Sequence, residues 1–550
     1  MAESPEPRPP SDPERQSAVD FFLRHVDNSP NISHARCLQK VKQYALATAT
    51  GLALTGNTTA ATRLVELLRE HGLDPLQDLA DSVFLVPAMY FAWEATASWP
   101  DWAPTSERTE QALATVETAA RQTWLERFSE PYGVDEDTVR KALQMADDSI
   151  NNAFPDVPVA DRIRLAARWF DEGQYGFASN PMGPFSSRYI TMQSWWRLST
   201  YPYPWQQLFR SAGLVIALDV QLKLGRYDDA METLRQICAR ITFTEQAFML
   251  ACSRAAWKSK LFTAGDGGDG RSTFMGVLDI DPTDLQAGGL RAVEMLEERL
   301  CSGPKRPFRN KNIKELTRIL SANTFENCAY DELEIYGPPL ERPEHADALL
   351  HSPCSEEDAI ALERRLGTDL PPDYREFLSA SDGMDPFWDG GFLLRLLAPA
   401  AEVCTVHLDF FDRDIMQLPL LRDQRTPIDW PPMPERAVSL SGPEAGGDGG
   451  DLWLIDRETT ARCKEAFFAA LDASSAEEKS VLQRAVEDVY GSMQRFRDLD
   501  RAVVGWTSWG HEFEAFDGVR GVLEVMAERS LHRLRPWDDC FRPGHRKVLL

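Results

Sequence analysis

Leu362-Glu363-Arg364-Arg365-Leu366-Gly367, followed by Asp369-Leu370-Pro371-Pro372-Asp373-Tyr374-Arg375-Glu376-Phe377-Leu378 and Ser381-Asp382-Gly383, decides how the C-terminal part of this chain is read. Ile360, Leu362 and Leu366 supply apolar positions for a helix. Ahead of them, Ser355 with Asp358 three residues on has the form of a capping box, in which a side-chain oxygen satisfies an unpaired N–H of the first turn. Gly367 is the residue type that ends a helix in the left-handed conformation. Leu370-Pro371-Pro372 then fixes extended chain, because a residue before proline is pushed out of the helical region. Pro372 needs no amide hydrogen and suits the first position of a second helix, which carries Tyr374, Phe377 and Leu378 and stops at Asp382-Gly383.

A helix, a leucine-diproline step and a polar-glycine stop, all between Ala359 and Met384, form a combination that resembles the opening signature of the SUKH superfamily. That superfamily includes fungal regulators of cell-wall synthesis and many bacterial immunity proteins against polymorphic toxins. Leu366, Gly367, Leu370, Pro371, Pro372, Tyr374, Phe377, Leu378 and Gly383 match its motif in structural roles, with Trp453 in a later strand. The resemblance implies an α+β domain with a mostly antiparallel sheet packed by helices, placed here at residues 353–530. Strand-like stretches run from Gly390 to Leu397, from Val403 to Phe411 and from Leu452 to Asp456. Helical periodicity returns over Thr460 to Leu471, Glu477 to Phe496 and Phe513 to Met526. The helical insertion after Asp456 and the run Trp506-Thr507-Ser508-Trp509-Gly510 depart from the short bacterial members, which weighs against a simple immunity role.

N-terminal to this, Pro- and Gly-rich residues 334–352 read as a linker. From Gln16 to Leu333, apolar residues recur three and four apart between Gly, Pro and Asp breaks, so residues 18–333 read as a mainly α-helical domain. Between Arg108 and Phe128, for example, Leu113, Val116, Ala120, Trp124 and Phe128 fall near one stripe. Two segments resemble the turn of a tetratricopeptide helix pair: Leu224 to Ala230, followed by Met231, Leu234 and Ile237, and Ala45 to Gly56, followed by Ala61, Val65 and Leu68. Leu218 and Ala49 stand where that motif has its first glycine, and two ordinary helical hairpins explain the pattern equally well. The expected architecture is therefore multidomain, repeat-like helices followed by an α+β domain. Residues 169–209 hold twelve aromatic side chains, from Trp169 to Phe209, which fit a core between helices better than an exposed platform. Tails are expected at residues 1–17, disordered, and at 531–550.

The chain has 59 Lys and Arg against 85 Asp and Glu, a formal charge of -26. Such a field repels phosphate backbones and anionic lipid headgroups, so neither nucleic acid nor a membrane is an expected partner. Val83 to Ala92 is too short for a bilayer span and is interrupted by Pro87. Acidic residues and prolines fill the window where a secretory signal would stand. Nine cysteines lie singly with no CxxC pair, which reads as reduced thiols in the cytosol or nucleus. His345, His351 and Cys354 are the nearest approach to a zinc set and fall short of four ligands.

Gly265-Asp266-Gly267-Gly268-Asp269-Gly270 spells GxGxxG but follows Lys258-Ser259-Lys260 rather than a strand, and its carboxylates would repel a pyrophosphate. Gly446 to Asp451 lacks calcium-loop spacing. His511-Glu512 has no second histidine at helical spacing, and no GxSxG, HExxH or P-loop occurs. No catalytic residue, cofactor or metal is therefore assigned. The expected function is a non-catalytic regulatory or scaffold protein that binds proteins with basic patches, in fungal cell-wall or stress signalling as the resemblance implies. A toxin-neutralising immunity protein and an enzyme of unrecognised type are the alternatives.

Overall fold

A computed structural model of the chain describes, apart from single positions, residues 29–75, 85–117, parts of 215–263, 272–278, 282–328, 342–388, 393–408, 435–443, 450–507 and 512–531. The expected tail 1–17, the expected tail 531–550 apart from Leu531, the aromatic stretch 169–209, the glycine run 265–270 and His511 lie outside the described residues.

The N-terminal region is helical. Its described helices are α1 (Ser29–His34), α2 (Leu38–Leu54), α3 (Thr58–Glu70), α4 (Leu85–Thr96), α5 (Tyr227–Cys238), α6 (Arg254–Lys258), α7 (Thr273–Leu278) and α8 (Pro282–Ser302). In α2, Ala45, Ala49 and Ala53 are buried, and such small side chains let neighbouring helices approach closely. The expected hairpin around Gly56 is present as α2 and α3. Gly56 takes φ +89 at the turn, and Asn57 accepts the Ala60 N–H at 3.2 Å to cap α3. Around Gly225, Ala230, Leu234 and Ile237 of α5 are buried in the same core as α2 and α3. Pro87 does not interrupt its apolar stretch. It lies in the first turn of α4, where a missing amide hydrogen is harmless.

The C-terminal region is α+β. It comprises α9 (Ile313–Asn327), α10 (Glu356–Leu366), α11 (Pro372–Ala380), the two-stranded ladder β1 (Phe387–Trp388) and β2 (Leu393–Leu394), and five further strands with four more helices. These strands are β3 (Cys404–His407), β4 (Arg436–Ser439), β5 (Asp451–Leu454), β6 (Val503–Thr507) and β7 (Glu512–Phe516). They form one antiparallel sheet in the order β3-β4-β5-β6-β7. The helices are α12 (Arg457–Ala473), α13 (Ala476–Tyr490), α14 (Met493–Asp498) and α15 (Val519–Arg529).

Strand alternation divides the interior into two layers. Leu452 and Leu454 of β5, Val503 of β6 and Phe516 of β7 face a core shared with α9, α11 and α15. Trp453, Val504 and Ala515, one residue out of step, face a second core built with Phe467, Leu482, Tyr490 and Phe496 of α12 to α14. Every residue of β5 is buried, as a strand covered on both faces requires. Two helices cross the divisions that the sequence pattern implies. Ile313, Leu316 and Leu320 of α9, which precedes residues 334–352, lie in the core with α11 and α15. Ala485 of α13 belongs to the core of the N-terminal helices.

Three local expectations change. The helical pattern from Glu477 to Phe496 is two helices, because Gly491 takes φ +79 and Ser492 caps α14. The pattern from Phe513 to Met526 is β7, a turn at Asp517-Gly518 with Gly518 at φ +128, and then α15. There a strand places Ala515 and Phe516 in opposite cores, which one continuous helix could not do. β4 and β6 were not expected as strands; Trp506 ends in β6, stacked on Trp453 at 5.7 Å.

Candidate functional site

The motif residues form a structural joint. Ser355 accepts the Asp358 N–H at 3.1 Å and donates its hydroxyl to the Asp358 carboxylate at 2.6 Å, capping α10. Gly367 ends α10 at φ +65, Leu370 is buried, Pro371 is the residue before α11, and Pro372 is the first residue of α11. Leu366 packs against the core from its edge, and Tyr374, Phe377 and Leu378 are inside it. Gly383 takes φ +87, and a Cβ there would lie 2.5 Å from the Pro399 nitrogen, so only glycine fits. The neighbouring Asp382 carboxylate accepts the Ala400 N–H at 2.8 Å. Trp453 is buried on the opposite side of the sheet, donating its indole N–H to Asp451 at 2.6 Å.

The Tyr374 hydroxyl is buried and has no hydrogen-bond partner among the described residues. A buried polar group without a partner carries an uncompensated desolvation cost. Tyr374→Phe is therefore expected to raise folding stability by about 1 kcal/mol in urea unfolding; a loss of similar size would show that the hydroxyl is bonded.

The densest concentration of buried charge lies where the N-terminal helices meet α13 and α15. Glu524 has a side chain that is 0 % exposed, on a helix where Val522, Leu523, Val525, Met526 and Ala527 are buried beside it. Arg306 donates to both its oxygens, from Nε at 2.9 Å and Nη2 at 2.8 Å; Arg36 reaches it at 3.2 Å and Arg520 at 3.0 Å. One turn on, Glu528 takes Arg36 at 3.3 Å and the His34 ring. Asp517 is paired with Arg495 at 3.1 Å and lies 3.8 Å from Arg306. Asp488 of α13 holds Arg299 of α8 at 2.6 Å, while the same guanidinium donates twice to the Ala35 carbonyl. Asp373 of the motif accepts the Arg520 N–H at 3.2 Å and so caps α15 from α11.

Burial opposes ionisation of Glu524, but the Arg306 hydrogen bonds and the charges of Arg36, Arg306 and Arg520 outweigh it and hold the carboxyl below its ordinary 4.5. A carboxylate depressed in the folded state stabilises the fold above the unfolded value, and this is lost as pH falls through the folded value. Below pH 4.5 the intact chain is therefore expected to lose stability more steeply than Glu524→Gln, as read from urea midpoints across pH. Parallel slopes would remove Glu524 from the acid response. Asp488 is shifted the other way. Burial pushes it up to about 6 against the pull of Arg299, so its stabilisation is present at low pH and lost as pH rises through about 6.

Sequence reading missed this cluster. In a chain with 85 acidic residues no single carboxylate stands out, although Glu524 interrupts the apolar run Val522-Leu523-Glu524-Val525-Met526 on the stripe it shares with Arg520 and Glu528. His351 contacts the Asp382 carbonyl at 2.8 Å and Asp385 at 3.1 Å, and Cys354 is half-buried. Among the described residues no group of three His, Cys, Asp or Glu could hold a metal ion, and no helix is long and apolar enough to cross a membrane.

Residues 353–485 match the model of the SMI1 / KNR4 family (SUKH-1). The match begins two residues before the α10 cap and ends within α13. The C-terminal region thus carries a SUKH-1 domain. No curated protein and no solved structure matches the chain.

Proposed function

With a SUKH-1 domain as the premise, we propose that the chain is a regulatory or scaffold protein that acts by binding other proteins and performs no chemistry of its own. The observation that carries this reading is the joint between the SUKH-1 region and the N-terminal helices. Arg36, Arg299 and Arg306 are buried against Glu524 and Asp488, so two partner-binding parts are held as one body. Leu370, Tyr374, Phe377, Leu378 and Trp453 of the motif are buried and build the fold, while Gly367 and Pro372 are exposed where α10 ends and α11 begins. A net charge of -26 favours partners with basic patches, chiefly by speeding encounter and selecting partners.

Fungal cell-wall or stress signalling is the setting that the family gives to this reading. Neutralisation of a basic toxin is the second reading, supported by the same acidic charge and the same family. Partner capture with the intact chain at low and high ionic strength tests the proposal. Stoichiometric partners that are lost as salt rises are the expected result. Turnover of a substrate by the purified chain overturns it, and a captured toxin encoded beside the gene selects the second reading.

A further inference from the structure

The charges at the joint are sorted by origin. Four carboxylates, Asp488, Asp517, Glu524 and Glu528, come from α13, α15 and the turn before α15. His34 and Arg36 follow from α1, Arg299 comes from α8, and Arg306 lies just beyond α8. Arg495 and Arg520 add positive charge from within the C-terminal region, but Arg495 is half exposed and Arg520 lies on α15 itself. Without the N-terminal partners, Glu524 would keep one of its three arginines, and Glu528 and Asp488 would lose every ion partner described for them.

Planar guanidinium groups suit such a face because each can donate in parallel to one carboxylate, as Arg306 does to Glu524. Buried ion pairs also differ from apolar contact in what they contribute. Desolvation offsets much of their attraction, so they fix register and partner choice more than they add stability. A joint built this way is more easily exchanged for another set of arginines than an apolar one of equal area.

We infer that Asp488, Asp517, Glu524 and Glu528 form a docking face for arginine-bearing protein segments, and that His34, Arg36, Arg299 and Arg306 occupy it in cis as a built-in competitor. This rests on the protein-binding function proposed above and adds both the chemistry of the partner and a means of regulation. Binding in trans requires a partner to displace the chain's own arginines, so the face is closed until a segment of sufficient arginine density arrives.

A fluorescent nona-arginine peptide, titrated into the full chain, tests this directly. Arg36→Ala with Arg306→Ala is expected to bind it about tenfold more tightly than the unaltered chain, as the removal of competing close charge pairs requires. Adding Glu524→Gln and Glu528→Gln is expected to abolish the gain. Glu357→Gln with Glu376→Gln, on exposed positions of α10 and α11, should leave it in place. Equal affinity of the unaltered and Arg36/Arg306 chains overturns the inference. So does a gain that survives the two glutamine substitutions, because it would then reflect general attraction to an acidic chain. Circular dichroism of each variant separates loss of fold from loss of competition. Should intact chain capture partners whose binding ignores Glu524→Gln and Glu528→Gln, the docking face falls while the scaffold function stands.

Discussion

Glu524→Ala is expected to cost about 3–5 kcal/mol of folding stability, the usual consequence of removing one member of a buried ion cluster. The loss comes less from the missing attraction than from what remains. Arg36 and Arg306, with side chains 10 % and 8 % exposed, would keep their charge with little water to solvate it. Their other contacts are partial: Arg36 also meets Glu528 at 3.3 Å, and Arg306 lies 3.8 Å from Asp517. Urea unfolding followed by tryptophan fluorescence and by far-ultraviolet circular dichroism reads the change. Apolar replacement of all three groups, Glu524→Leu with Arg36→Met and Arg306→Met, is expected to recover most of the loss, because it removes the uncompensated charges as well. A single Glu524→Ala effect below 1 kcal/mol would mean that water reaches the joint freely.

Phe377→Ala is expected to cost about 3–5 kcal/mol, the range for truncating a buried phenylalanine. Phe377 is fully buried, with its ring parallel to that of Tyr374 at 6.1 Å, in the core formed with α9 and α15. Truncation leaves a cavity that these helices cannot fill by moving, since α9 is fastened to α15 by Asn323, which donates to the Ala527 carbonyl at 3.0 Å, and by Asn327, which donates to the Ser530 carbonyl at 2.9 Å. Phe377→Leu keeps most of the volume and is expected to cost less than half as much. Equal losses for the two variants in urea unfolding would mean that ring geometry rather than volume sets the stability of α11.

What could be read from sequence is what local backbone chemistry determines. Ser355, Gly367, Pro372 and Gly383 each act on their own few residues, and each stands in the structure where that chemistry puts it. β5 was legible because Leu452 to Ile455 is apolar on both faces. β7 was misread because Phe513, Phe516, Val519 and Val522 fall three apart, and a strand running into a helix can imitate one helix. The joint was out of reach for a different reason. Arg36 and Glu524 are 488 residues apart, so the burial of each depends on chain that no local window contains.

The place of α9 bears on how this protein is made. Translation delivers α9 about 200 residues before α15, roughly 10–40 s at ordinary elongation rates. For that interval Ile313, Leu316 and Leu320 lack α15, the last helix to join the core they share with α11 and the sheet. A nascent chain stalled in this window would present a sticky helical stripe to the cell, and a chaperone that shields it until termination would raise the yield of native protein.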